Sequence, residues 1–163
     1  MNTDIVAPHK EMRDVVSELE THLSALPEAM FGDCFPLVHT FAKGLYVRQM
    51  SVPKGYLVIS KIHKHSSAAF LLQGEISIFG TDGVRRLKAP ASFITPAGTK
   101  RAIYPHADTI FAAVHATNET DLAKIEEEVI AKDFSELDNS IDVEFITETI
   151  RQMKITEAQS ESI

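Results

Sequence analysis

A single cysteine, Cys34, stands in 163 residues, which excludes an internal disulfide and a multi-thiolate metal cluster. Any transition metal would depend on imidazole and oxygen ligands. Basic residues are outnumbered: 16 Lys and Arg against 23 Asp and Glu leave a net charge of −7. Phosphate neutralisation needs a basic face that this composition does not supply, so nucleic acid is not an expected partner. No apolar run approaches the roughly 18–20 residues of a membrane span. The opening "MNTDIVAPHKEMRD" also has no basic segment followed by an apolar one, so a cytoplasmic location is expected. Glycine and proline, at 7 each, are too few for a linker-dominated chain, and the length suits one domain over residues 1–163.

What is present is patterned. Between Pro8 and Leu26, the apolar residues Met12, Val15, Val16, Leu19, Leu23 and Leu26 recur at helical spacing, which predicts an amphipathic helix over 8–26. From 35 to 116 the texture changes to short β-branched segments: "KGLYVRQM", "GYLVISKIHKH", "AAFLLQGEISIF", "VRRLKAP", "SFITP", "RAIYP" and "TIFAAVHAT". Turn formers separate them, among them Thr81-Asp82-Gly83, a hairpin turn. This spacing predicts an antiparallel sandwich or barrel. Residues 118–155 read as helical, with Asn118 or Thr120 as an N-cap and Glu126, Glu127 and Glu128 on a solvated face. Within that region 140–155 fits helix or strand, and 156–163 is polar enough to be a disordered tail.

His63 and His65 lie two apart, so on a strand both imidazoles point to one face, the arrangement in which a metal takes two neutral nitrogen donors. The competing reading is a solvent-facing edge. His115, which ends the apolar run "TIFAAV", is the favoured third ligand over His106, His39 and Glu75, although a lone core histidine fits it equally. No phosphate-binding glycine loop and no G-x-S-x-G elbow is present.

The segment "KIHKHSSAAFLLQGEISIFG" and the later "PASFITPAGTKRAIY" together resemble the two half-motifs of the cupin family over residues 35–116. His63 and His65 match its histidine pair, with seven residues after Gly55, two more than the family spacing, and no glutamate at the expected place. The Pro96-Ala97-Gly98 turn matches the second half-motif, but Pro90 stands for its glycine and Arg101 for its metal-ligating histidine. The texture is also similar to small stand-alone cupins of tailed phages and bacteria, which implies host cytoplasm or virion as the location. The resemblance implies a cupin-type β-barrel (jelly-roll) of mainly β class, with the N-terminal helix before it and the helical segments after it. Two of the family's four ligands are missing, so the expected metal site is an incomplete one, in which His63 and His65, with His115 as the third ligand from its own context, loosely hold Fe, Mn, Ni or Zn. The fixed charge of Arg101, with Tyr104 and Gln73, is expected to favour a small anionic ligand. Three functions are then open: a small-molecule-binding cupin, a metal-dependent oxygenase, isomerase or lyase, and a structural cupin without chemistry. The two terminal amphipathic elements predict a homodimer.

Overall fold

The computed structural model describes residues 6–80 and 83–138. The expected ambiguity at 140–155 and the tail at 156–163 lie outside the described residues. Packing divides the chain into two units, Met1–Ala131 and Lys132–Ile163. In the second, the short helix Ser135–Asp138 follows Asp133, whose carboxylate accepts from the Ser135 backbone N–H at 2.8 Å.

The first unit opens on helix α1 (Val6–Ser24). Among its described side chains Val16 is fully buried, while Val15 and Leu26, expected on the same stripe, are 46% and 45% exposed, so over 12–26 the buried stripe is narrower than the spacing suggested. The chain then runs through β1 (Leu37–Ala42), β2 (Leu45–Val52), β3 (Val58–Ile59), β4 (Ile62–His63), β5 (Ser67–Gln73) and β6 (Glu75–Gly80). It continues through β7 (Gly83–Lys88), β8 (Ala91–Thr95), β9 (Arg101–Pro105) and β10 (Thr109–Ala116), and ends on helix α2 (Leu122–Val129) and β11 (Ile130–Ala131).

Strand pairing is nested and antiparallel: β2 with β10, β3 with β9, β5 with β8, and β6 with β7. Pairing of β10 with β5 and of β9 with β6 then joins them into sheets of order β1-β2-β10-β5-β8 and β3-β9-β6-β7. Eight strands folded back as one long nested hairpin make a jelly roll, the arrangement the sequence predicts. The two sheets meet through Leu71, Phe93 and Phe111 on one side and Ile76, Ile78 and Ile103 on the other. "AAFLLQGEISIF", one run in the sequence, breaks at Gly74, where φ is +92°. A Cβ there would stand 2.5 Å from Thr109 Oγ1 and 2.7 Å from the Asp108 carbonyl, so only glycine lets β5 turn into β6. The hairpin between β6 and β7 pairs Gly80 with Gly83 across the expected turn.

The C-terminal helix is shorter than expected. Its N-cap is Asp121, whose side chain accepts from the Ala123 and Lys124 N–H groups at 3.0 and 3.1 Å, in place of Asn118 or Thr120. It ends at Val129 because Ile130 turns extended and β11 pairs with β4, Ile130 opposite His63. The glutamate run is exposed, as expected, and the segment is tied to the roll at its edge: Lys61 pairs with Glu126, Lys64 Nζ donates to the Glu127 backbone carbonyl at 2.8 Å, and Thr117 donates to the Glu128 carboxylate at 2.8 Å. These contacts hold α2 over the end of the roll, with Ile125 and Val129 packed on Tyr46.

Alternation within β5 gives a direct test. Leu71 is fully buried and Leu72 is 51% exposed. Leu71→Ala is expected to cost about 2–5 kcal/mol in urea unfolding, and Leu72→Ala under about 1 kcal/mol; equal losses would contradict this register.

Candidate functional site

The inner face of the five-stranded sheet can be followed row by row through its register. One row runs Leu37, Met50, Phe111, Leu71, Ala91 and is apolar. The next runs His39, Arg48, Ala113, Ala69, Phe93. A third begins Phe41, Tyr46, His115 and ends at the Ser67–Thr95 pair. The sheet therefore grades from apolar to polar along its strands, and the polar end opens into a cavity of about 730 Å³. His39, Tyr46, Arg48, His63, Arg101 and His115 line it, with Met30, Phe31, Tyr56 and Leu57 among its apolar residues.

Arg101 enters from the opposite sheet at 3% exposure. It pairs with Gly80, and a Cβ at Gly80 would come within 2.7 Å of its Cγ, so the missing side chain makes the room it occupies. Its Nη1 donates to Thr95 Oγ1 at 2.8 Å, and the guanidinium carbon lies 5.2 Å from the centre of the Phe93 ring. Thr95 and Phe93 are neutral, and both orient the fork. The inward direction expected for Arg101 is thus present.

His63 and His115 meet with ring centres 5.3 Å apart. His63 Nδ1 is 3.4 Å from Ser67 Oγ, and Tyr46 stacks on His115 at 6.0 Å while sharing a 2.7 Å hydrogen bond with His39 Nδ1. Burial lowers the His63 pKa to about 4, with His115, Arg101 and Arg48 adding in the same direction. Burial also lowers that of His115, helped by Arg48 and His65, and burial raises that of the Tyr46 phenol. At neutral pH His63 and His115 stand as neutral imidazoles beside the neutral Tyr46 phenol, in a pocket that also holds the permanent cations Arg101 and Arg48. Of the four carboxylates of the lining, three are matched by bases, Glu20 with Lys100, Asp33 with Arg48, and Glu126 with Lys61, and the fourth is Glu28.

Three expected site residues lie elsewhere. His65 is exposed, because β4 ends at His63 and the chain bends at 64–65, so the alternation that would align the two imidazoles stops one residue too early. Tyr104 follows Ile103 on the outward parity of β9, is 40% exposed and touches His106 edge-on at 5.1 Å. Gln73 sits past the cavity, its Nε2 on the Asp108 carbonyl at 3.3 Å. The other candidate ligands are occupied locally: His106 Nε2 is 2.7 Å from Ser77 Oγ, and Glu75 binds Arg86 at 2.6 Å. Asp108 does not pair with His106 but accepts from the Lys54 N–H at 3.0 Å. Arg48 was missed; its alternation with Tyr46 and Met50 in "LYVRQM" is the signal that places it on the inner face.

A metal does not fit these donors. Two imidazoles face a guanidinium, and among the described residues no group of three His, Cys, Asp or Glu side chains is placed to hold an ion.

No protein-family model and no curated protein matches the chain. Solved structures do. The Schizosaccharomyces pombe Cnp3 cupin domain is 18% identical at a TM-score of 0.45, over 64% of this chain and 77% of that one. A cupin-2 domain protein from Shewanella frigidimarina is 10% identical at 0.43, over 61% and 92%. An acetylacetone dioxygenase from Acinetobacter johnsonii is 18% identical at 0.43, over 54% and 66%. The nested strand order above is a jelly roll, the architecture that cupins share with other double-sheet proteins. The likeness is one of fold. Among the described residues no helix is long and apolar enough to cross a membrane.

The His63 shift has a sign that stability measurements read. The unfolded chain takes up the proton near pH 6.5 and the folded one only near 4, so the His63 contribution to stability is full above about 6.5, is lost through that window and changes no further below it. The loss is expected to reach roughly 3 kcal/mol. His63→Gln flattens the profile; an NMR titration with His63 near its ordinary value would contradict the burial argument.

Proposed function

We propose that this protein binds a small organic anion, a carboxylate or phosphate ester, with Arg101 as its anchor and without a catalytic metal. The observation that carries the reading is the buried guanidinium on the cavity wall, at the position where the cupin resemblance implies a metal-ligating histidine. A guanidinium holds a carboxylate or phosphate through parallel hydrogen bonds and repels a divalent cation. Neutral His63 and His115 and the Tyr46 phenol supply further polar contacts, and the graded wall towards Met50 and Phe111 suits an apolar tail. A metal-dependent oxygenase, isomerase or lyase needs three converging ligands, and among the described residues no three His, Cys, Asp or Glu side chains are placed to hold an ion.

Arg101→Met is expected to weaken binding of phosphate and short carboxylates by about 10–100-fold in calorimetry, the worth of a hydrogen bond to a charged group. Arg101→His restores a ligand and removes the fixed charge, so it is expected to tighten Zn²⁺ or Mn²⁺ binding while weakening the anion. Anion affinity unchanged in Arg101→Met, or metal affinity unchanged in Arg101→His, would defeat the proposal.

A further inference from the structure

The cavity is rimmed by exposed apolar side chains. Phe31 is 70% exposed, Leu26, Met30, Tyr56, Leu57 and Leu122 are each between 40% and 50%, and all six line the cavity. They come from three separate places in the chain: the irregular segment between α1 and β1, the lead-in to β3, and the first turn of α2. Their convergence is a product of the fold, since no single apolar run supplies them. Exposed apolar surface gathered around a cavity marks a binding site for a ligand with an apolar part. The wall within the collar is apolar too. Val58 of β3 and Ile103 of β9 are register partners that line the cavity, and Met50 and Phe111 line it from the other sheet. Arg101 lies two residues before Ile103, on the same face of β9.

We infer that the ligand is an amphipathic monocarboxylate, its head held inside by Arg101 and its extended apolar tail running out to this collar. The inference rests on the anion anchor proposed above and adds the class of molecule that the anchor serves. A single negative charge suits the cavity better than a phosphate monoester, which carries about −1.5 to −2 at neutral pH. The second charge would meet neutral imidazoles at His63 and His115, and Arg48 already holds Asp33 at 2.7 Å. The length of the tail follows from the backbone. The Ser60 N–H donates to the Arg101 carbonyl at 2.8 Å, and Leu57 and Tyr56 stand three and four residues before Ser60. At no more than about 3.6 Å per residue, this part of the collar lies within roughly 11–14 Å of Ser60 along the chain. Carbon–carbon bonds of about 1.5 Å advance an extended tail by roughly 1.25 Å each, so up to about ten carbons fit between head and collar.

The test is calorimetry of the full chain with acetate, hexanoate and decanoate, and with decyltrimethylammonium and decyl phosphate as probes of the head, all below their micelle concentrations. A fully buried methylene is worth about fourfold in affinity, so binding is expected to tighten at least about 100-fold from acetate to decanoate. Decyltrimethylammonium and decyl phosphate are expected to bind at least about tenfold more weakly than decanoate. Phe31→Ser and Leu57→Ser, at exposed positions where substitution leaves the fold intact, are each expected to weaken decanoate about fivefold. Val84→Ser, on an exposed residue of β7 outside the cavity, is expected to change nothing. Acids that bind through Arg101 with equal affinity at every chain length overturn this inference and leave the anion anchor standing, as does either head probe binding as tightly as decanoate. Decanoate held equally well by Arg101→Met also overturns it, and acetate indifferent to the same substitution overturns the anchor.

Discussion

The polar end of the roll is organised around one permanent charge held out of water. A guanidinium cannot relieve its burial by losing a proton, so the surroundings must accommodate it. Gly80 gives it space, Thr95 takes a hydrogen bond and Phe93 offers the face of its ring. The same charge, together with burial, makes a second positive charge on His63 unfavourable, so the imidazole stays neutral well below its ordinary range. Burial is the larger cause of that shift, and Arg101 adds to it in the same direction as His115 and Arg48.

The rest of the fold positions this group. Nested pairing puts β9, carrying Arg101, opposite the sheet that carries His115 and Thr95. β11 holds the two-residue strand of His63 against it, and α2, tied down by Lys61, Lys64 and Thr117, closes over Tyr46. The apolar rows further along the strands make the core, so burial energy and ligand chemistry occupy opposite ends of one set of strands.

Much of this was legible in the sequence, for reasons that differ by residue. Short β-branched runs broken by turn formers announced the antiparallel fold, and the Pro96-Ala97-Gly98 turn carried the inward direction of Arg101. His115 reached the pocket because it ends an alternating apolar strand. Alternation failed where the strand itself stopped: at His65 the chain bends, and no local residue pattern marks a two-residue strand. Tyr104 and Gln73 depend on register and on strand ends, which pairing partners distant in sequence determine. β11 was not foreseen, since it gains its hydrogen bonds only from a strand far away in the sequence, whereas β1 pairs with the adjacent β2 across the Lys43-Gly44 turn and was local enough to be read.

The claim that a cation replaces a metal in this cavity is tested most directly by the metal content of protein purified without an affinity tag. The account predicts far less than one transition-metal ion per chain, with the same trace in His63→Ala and His115→Ala. One tightly held ion per chain, lost in both variants, would contradict it.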